Sequence, residues 1–242
     1  MAKVHPFIVY GASGTGKSTS FYPIPEFNIT GVPLEKLFVI NCAGAGKIAP
    51  VRGKAAAAMF EHSNQVSETG THWFNAKLLK FAGTTLKIVL ETRADIAVIL
   101  VDDIGVLAGK EATSSETKMD FEDWRLLGGR IQELLNVCMN TKVTRDVYVF
   151  LTFHPAVDNI TGKTKVFIPG GMVEKYIGGV EGQFVTVFET LTRIKEDGSD
   201  ELEYLFRTQA NNATSKSLPG MFPALMPNDI AKVIQAYAAY FN

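Results

Sequence analysis

Cysteine is almost missing from this sequence: its 242 residues include two, Cys42 and Cys138, each among apolar neighbours. That scarcity excludes a disulfide scaffold, supplies no metal-ligand spacing, and fits a reducing compartment in which both are buried structural thiols. Long apolar runs are missing too. No stretch approaches the ~20 residues of a membrane-spanning helix, and the opening Met1-Ala-Lys-Val-His-Pro-Phe-Ile-Val-Tyr10 is too short and too polar for a signal peptide. The expectation is a soluble cytoplasmic protein with no membrane partner. Neither sign of charge prevails, since 24 Lys plus Arg face 25 Asp plus Glu. A global field that would draw in nucleic acid is thereby excluded, and any such site must be a local patch. Internal repeats and low-complexity tracts do not occur.

What is present is an apolar content of 46%, enough for a substantial core in one domain spanning residues 1–242. Phe7–Tyr10, Leu37–Ile40, Ile96–Val101 and Val147–Phe153 read as buried strands. Lys17–Phe21 begins a helix that Pro23 and Pro25 interrupt. The glycine-rich, basic stretch Asn41–Lys54 reads as a loop. Residues from about Met59 to Glu91 read as mainly helical, with Trp73, Lys77 and Leu78 at helical spacings, and Thr113–Lys118 reads as a polar loop. Phe121, Trp124, Leu127, Ile131, Leu134, Leu135 and Cys138 recur at three and four residues, the stripe of an amphipathic core helix. Further on, Asp158–Phe167 around Thr161-Gly162 predicts one hairpin, and Phe184–Lys195 with Glu201–Thr208 across Asp197-Gly198 predicts another. Asn228-Asp229, following Pro227, opens a closing helix to Tyr240. The expected fold class is α/β, a mostly parallel central sheet flanked by helices with antiparallel hairpins toward the C-terminus.

One segment carries specific chemistry. Gly11-Ala12-Ser13-Gly14-Thr15-Gly16-Lys17-Ser18, followed by Thr19, matches GxxxxGK[ST] between a predicted strand and a predicted helix. In that context backbone amides and a helix N-terminus converge on phosphate. Glycines permit the turns, Lys17 can reach the β- and γ-phosphates, and Ser18 offers a hydroxyl to magnesium. Such a loop needs a carboxylate at the end of a neighbouring strand, which Ile96–Val101 followed by Asp102-Asp103 supplies. Asp102 is the metal-side residue, the alternative being a strand-end turn cap. Asp103 is open between positioning water and plain helix capping. His154 ends a third strand, the edge at which ligands bind in open parallel sheets, and is a candidate γ-phosphate sensor. His5, His62 and His72 have no such context.

Other motifs are set aside. Leu127-Gly128-Gly129-Arg130-Ile131-Gln132 follows the strand carboxylate, where a transporter signature would precede it. Ala43-Gly-Ala-Gly46-Lys47 lacks the hydroxyl and the spacing of a second phosphate loop. No NKxD guanine-reading motif exists. The only lid candidate, Thr113–Lys118, has one lysine and no arginine, which disfavours a small-molecule kinase.

Taken together, these segments resemble the phage-encoded RecA-like ATP-binding proteins, AAA-type P-loop ATPases placed among replication and recombination functions. The resemblance covers nearly the whole chain. It includes Gly11–Ser18, Val101–Asp103, Phe38–Asn41 leading to Val51-Arg-Gly53, Leu151-Thr-Phe-His154 and Gly179–Phe188. Its narrowest part is the tail Arg207–Lys216, Gly220-Met-Phe222 and Asn228-Asp229. It implies a RecA-like core, ATP and Mg2+ as ligands, and Lys17, Ser18, Asp102 and His154 in the lysine, magnesium, strand-carboxylate and sensor roles. It also implies a homo-oligomer acting on single-stranded phage DNA beside a single-strand-binding protein, in the cytoplasm of a bacterial host.

The chain departs from this pattern in one place. RecA-like enzymes carry an acidic, water-activating residue after the second strand, whereas Asn41-Cys42-Ala43-Gly44 has none. Asp103, Glu91 or a neighbouring subunit are the substitutes, and Lys216 or Arg207 are candidates for an arginine-finger role across an interface. For DNA the candidate patch is Lys47, Arg52, Lys54, Lys163 and Lys165, with Phe167 for stacking. Two expectations follow: a slow ATPase stimulated by DNA, or a non-hydrolytic ATP-dependent switch that recruits a protein partner.

Overall fold

The computed structural model describes residues 2–66, 70–114, 119–170, 179–196 and 199–241. The strands are β1 (Val4–Tyr10), β2 (Leu37–Asn41), β3 (Trp73–Asn75), β4 (Val98–Asp102), β5 (Val147–Phe153), β6 (Pro155–Val157), β7 (Thr164–Val166), β8 (Val187–Ile194), β9 (Leu202–Arg207) and β10 (Leu225–Pro227). The helices are α1 (Lys54–Met59), α2 (Leu79–Thr92), α3 (Ile104–Thr113), α4 (Phe121–Asn140) and α5 (Ile230–Phe241). Among the described residues, eight strands form one sheet in the order β10-β9-β8-β1-β5-β4-β2-β3. Pairing is parallel from β8 to β3 and antiparallel from β8 through β9 to β10. This is the α/β class expected, a mostly parallel sheet with antiparallel C-terminal strands.

The apolar runs are continuous because the central strands are covered on both faces. Alternate residues of β1 divide between two cores. Ile8 and Tyr10 join α2, α3 and α4 on one side, and Phe7 and Val9 join Phe21, Phe206 and α5 on the other. In α4 the stripe Leu127, Ile131, Leu134, Leu135 and Cys138 is buried, and Asp120 with Asp123 forms a capping box at its start.

Several expectations are corrected. The segment after the glycine-rich loop is a single 3-10 turn, Thr19–Phe21. Tyr22 and Ile24 each precede a proline and are pushed out of the helical region, to φ −101°, ψ 143° and φ −130°, ψ 86°. The region from Met59 to Glu91 is not one helix: α1 ends at Met59, and Trp73 lies in β3 on the free edge of β2. Three residues are too few for a strand to show its own period, so the spacing of Trp73, Lys77 and Leu78 misleads. Strand β10 was not foreseen, and α3 was foreseen only through Asp103 as a candidate cap. Both hairpins form, but β8 of the second also pairs with β1 and so belongs to the central sheet. Of the polar loop Thr113–Lys118, residues 115–118 lie outside the described residues, as do Asp197 and Gly198.

Candidate functional site

The loop Gly11–Ser18 begins at the carboxyl end of β1, where Gly11 N donates to Phe153 O across the sheet at 3.3 Å. Gly14 and Gly16 adopt φ 80° and 88°, a region that favours glycine. At Gly11 a Cβ would lie 2.0 Å from Thr190 Oγ1, so β8 seals the back of the loop. The Thr15 hydroxyl is 2.5 Å from that of Thr190, and Asn228 Nδ2 donates to Thr15 O at 2.9 Å. The Lys17 ammonium donates to Gly11 O and Ala12 O at 2.7 and 2.9 Å. Burial lowers the Lys17 pKa, against the opposing pull of Asp103 and Asp102.

The strand-end carboxylates lie directly opposite. Ser18 Oγ is 2.9 Å from both oxygens of Asp102, and Thr152 Oγ1 on β5 donates to Asp102 Oδ1 at 2.8 Å. The Asp103 N–H donates to the same threonine at 2.8 Å. Asp103 occupies the N-cap position of α3 with φ 62°, and its side chain turns inward to Lys47 instead of capping. That conformation costs energy in a non-glycine residue. Asp103 Oδ1 is buried without a hydrogen bond among the described residues, with His154 Nε2 3.5 Å away. The Lys47 ammonium fills the notch between the carboxylates, 2.6 Å from Asp102 and 2.7 Å from Asp103. Burial alone would lower its pKa; Asp102 and Asp103 outweigh that and raise it.

Ser13, Gly14, Gly16, Lys17, Ser18, Thr19, Asp103 and His154 line a cleft of about 410 Å³ together with Phe27, Ile48 and Tyr204. Gly11, Ala12 and Thr15 of the same loop do not line this cleft. No family model matches this chain. A search of curated proteins likewise finds no match.

The remaining sequence candidates scatter. Of the five basic residues in the proposed DNA patch, Arg52 pairs with Glu26, Lys165 with Asp158, and Lys47 is drawn into the carboxylates. Arg207 is held by Glu189. Glu91 is in the last turn of α2, which leads into the amino end of β4, four residues before Asp102 at its other end. At about 3.3 Å per residue that is roughly a strand length away, which removes Glu91 as a water-activating acid. Asn41 spends its amide on Gly44 O, Asn75 Oδ1 and Ala43 N. Sequence reasoning missed Thr152, Thr190, Lys47 as a carboxylate partner, and Tyr204. Thr152 and Asn228 carried a signal, through Leu151-Thr-Phe-His154 and the tail motif.

Proposed function

We propose that this chain binds Mg-ATP through Gly11–Ser18, with a RecA-like core, and hydrolyses it slowly as an accessory to phage DNA recombination or replication. The observation that carries the nucleotide reading is the contact of Ser18 Oγ with Asp102 at 2.9 Å, made across a sequence separation of 84. It joins the two oxygen groups that a phosphate loop and its strand carboxylate would share around magnesium. A cation fits there, since the ammonium of Lys47 already neutralises these carboxylates. Among the described residues no cluster of three His, Cys, Asp or Glu side chains has metal-holding geometry, so further ligands would come from phosphate and water. When bound, magnesium would neutralise charge developing on the phosphates. Lys17 would leave the carbonyls of Gly11 and Ala12 for the triphosphate. Asp103 and His154, which both line the cleft, are the groups able to orient water.

The DNA role, the single-strand-binding partner and a homo-oligomer rest on the resemblance alone. One observation favours the second reading, a non-hydrolytic switch: Asn41 replaces the expected acid, and its amide is fully engaged. The test is ATP turnover with and without single-stranded DNA, beside direct nucleotide binding and Lys17→Ala. DNA-stimulated turnover lost in the variant supports the ATPase. Lys17-dependent binding without turnover supports the switch, and absence of binding rejects both.

A further inference from the structure

The chain leaves the glycine-rich loop by a detour that builds one wall of the cleft. Ile24 and Ile29 exchange backbone hydrogen bonds of 3.0 and 3.2 Å, closing a small loop around the 3-10 turn Pro25–Phe27. Asn28 completes the turn at φ 53°, and Phe27 stands at its tip, 62% exposed. Downstream, the buried carboxylate of Asp229 accepts from Thr30 N at 2.9 Å and Gly31 N at 3.1 Å. Its neighbour Asn228 donates to Thr15 O. The dipeptide Asn228-Asp229 therefore ties the detour and the glycine-rich loop to one anchor.

Phe27 meets Tyr204 of β9 edge to face, the ring centroids 6.1 Å apart and the planes inclined by 68°. Ile24, Ile29, Ile48 and Pro50 complete the wall, with Ile48 76% exposed. Apolar groups gathered in the open in a cleft that also holds a polar loop mark a surface that gains by being covered. Rings crossed at that angle cannot sandwich a plate; they form a corner that offers one face and one edge. A polar group points the same way. Asn228 lines the cleft and is 3% exposed, its Nδ2 is committed to Thr15, and its Oδ1 is without a hydrogen bond among the described residues. A buried acceptor left unmade is costly, and a ligand donor would relieve it.

We infer that this corner is a nucleobase subsite that prefers purine to pyrimidine triphosphates. Phe27 and Tyr204 stack against the base, and Asn228 Oδ1 accepts from an exocyclic amine. A bicyclic base covers more of the apolar corner than a monocyclic one, which sets the direction of the preference. The inference rests on the nucleotide reading above and deepens it.

The experiment is calorimetric titration, in magnesium buffer, of wild type, Phe27→Ala, Tyr204→Ala and Lys17→Ala with ATP, CTP and inorganic tripolyphosphate. Wild type is expected to bind ATP about tenfold more tightly than tripolyphosphate, and more tightly than CTP. Each ring variant is expected to lose about fivefold or more for ATP, in line with the loss from removing one stacking partner. Its unchanged affinity for tripolyphosphate shows that it is folded. Equal affinity of wild type for ATP and tripolyphosphate, or ring variants that bind ATP as wild type does, overturns the subsite and leaves the phosphate loop standing. Equal affinity for ATP and CTP overturns the purine preference. Lys17→Ala should weaken both ATP and tripolyphosphate; wild type that binds neither rejects the nucleotide reading and the subsite together.

Discussion

An ammonium set 2.6 Å from one buried carboxylate and 2.7 Å from another offsets charge repulsion that the fold would otherwise carry. Replacing Lys47 by Met removes that offset and leaves Asp102 and Asp103 side by side. In EDTA, Lys47→Met should be destabilised by about 1–3 kcal/mol, read as a melting temperature lower by several degrees. Under the proposed function millimolar magnesium should restore most of the loss, and Mn2+ should bind the variant more tightly than wild type. A variant that melts like wild type in EDTA would remove the electrostatic argument. The same locus offers an optical probe. Lys47 O accepts from His62 Nε2 at 2.9 Å, and His62 stacks on Trp73 at 5.5 Å. Displacement of Lys47 by Mg-ATP should therefore change the fluorescence of Trp73 in a Trp124→Phe background.

At the scale of elements, two glycines separate backbone need from helix propensity. Gly31 has φ 62°, and a Cβ there would lie 2.3 Å from the Tyr22 carbonyl carbon. Gly31→Ala should cost about 2–4 kcal/mol through clash and left-handed strain. Gly129 lies on the exposed face of α4, where a Cβ meets nothing within 4 Å. Gly129→Ala should add about 0.5–1 kcal/mol. Chemical denaturation of the two variants checks both signs. The β6–β7 hairpin makes a prediction in pH. Backbone and side-chain hydrogen bonds from Thr161, then Lys165 and Ile160, hold the half-buried Asp158 carboxylate down to about 2 from 3.8. A folded pKa below the unfolded one stabilises above pH 3.8 and loses that contribution as pH falls through about 2. Carboxyl NMR titration should find Asp158 ionised at pH 3, and Thr161→Val should bring its pKa back toward 3.8.

Over the whole molecule, both thiols are shut in the core at 0% exposure, and burial pushes Cys138 up to about 12 and Cys42 also upward. A thiol reagent at pH 8 should label neither cysteine in the native protein and both in urea, so labelling rate reports unfolding. The apolar runs of β1, β2, β4 and β5 were legible because strands covered on both faces need no partner to reveal their burial. The stripe of α4 was legible because helical period is local. Gly11–Ser18, Asp102 and His154 could be marked as candidates because each ends an apolar run. Trp73 misled, since membership of a three-residue edge strand depends on β2, more than thirty residues away in sequence. Asp103 was undecidable because its side chain is turned by Lys47, and nothing in its own neighbourhood specifies that contact. By itself the sequence determined the α/β class, the strand-loop unit at Gly11–Ser18 and the carboxylates that follow an apolar strand, since all of these are written in short-range pattern. Tertiary structure alone decided that β8 would flank β1 and seal Gly11, that Lys47 would fill the notch at Asp102 and Asp103, and that Phe27, Tyr204 and Asn228 would meet in one cleft. These are contacts between segments whose local preferences are silent about one another.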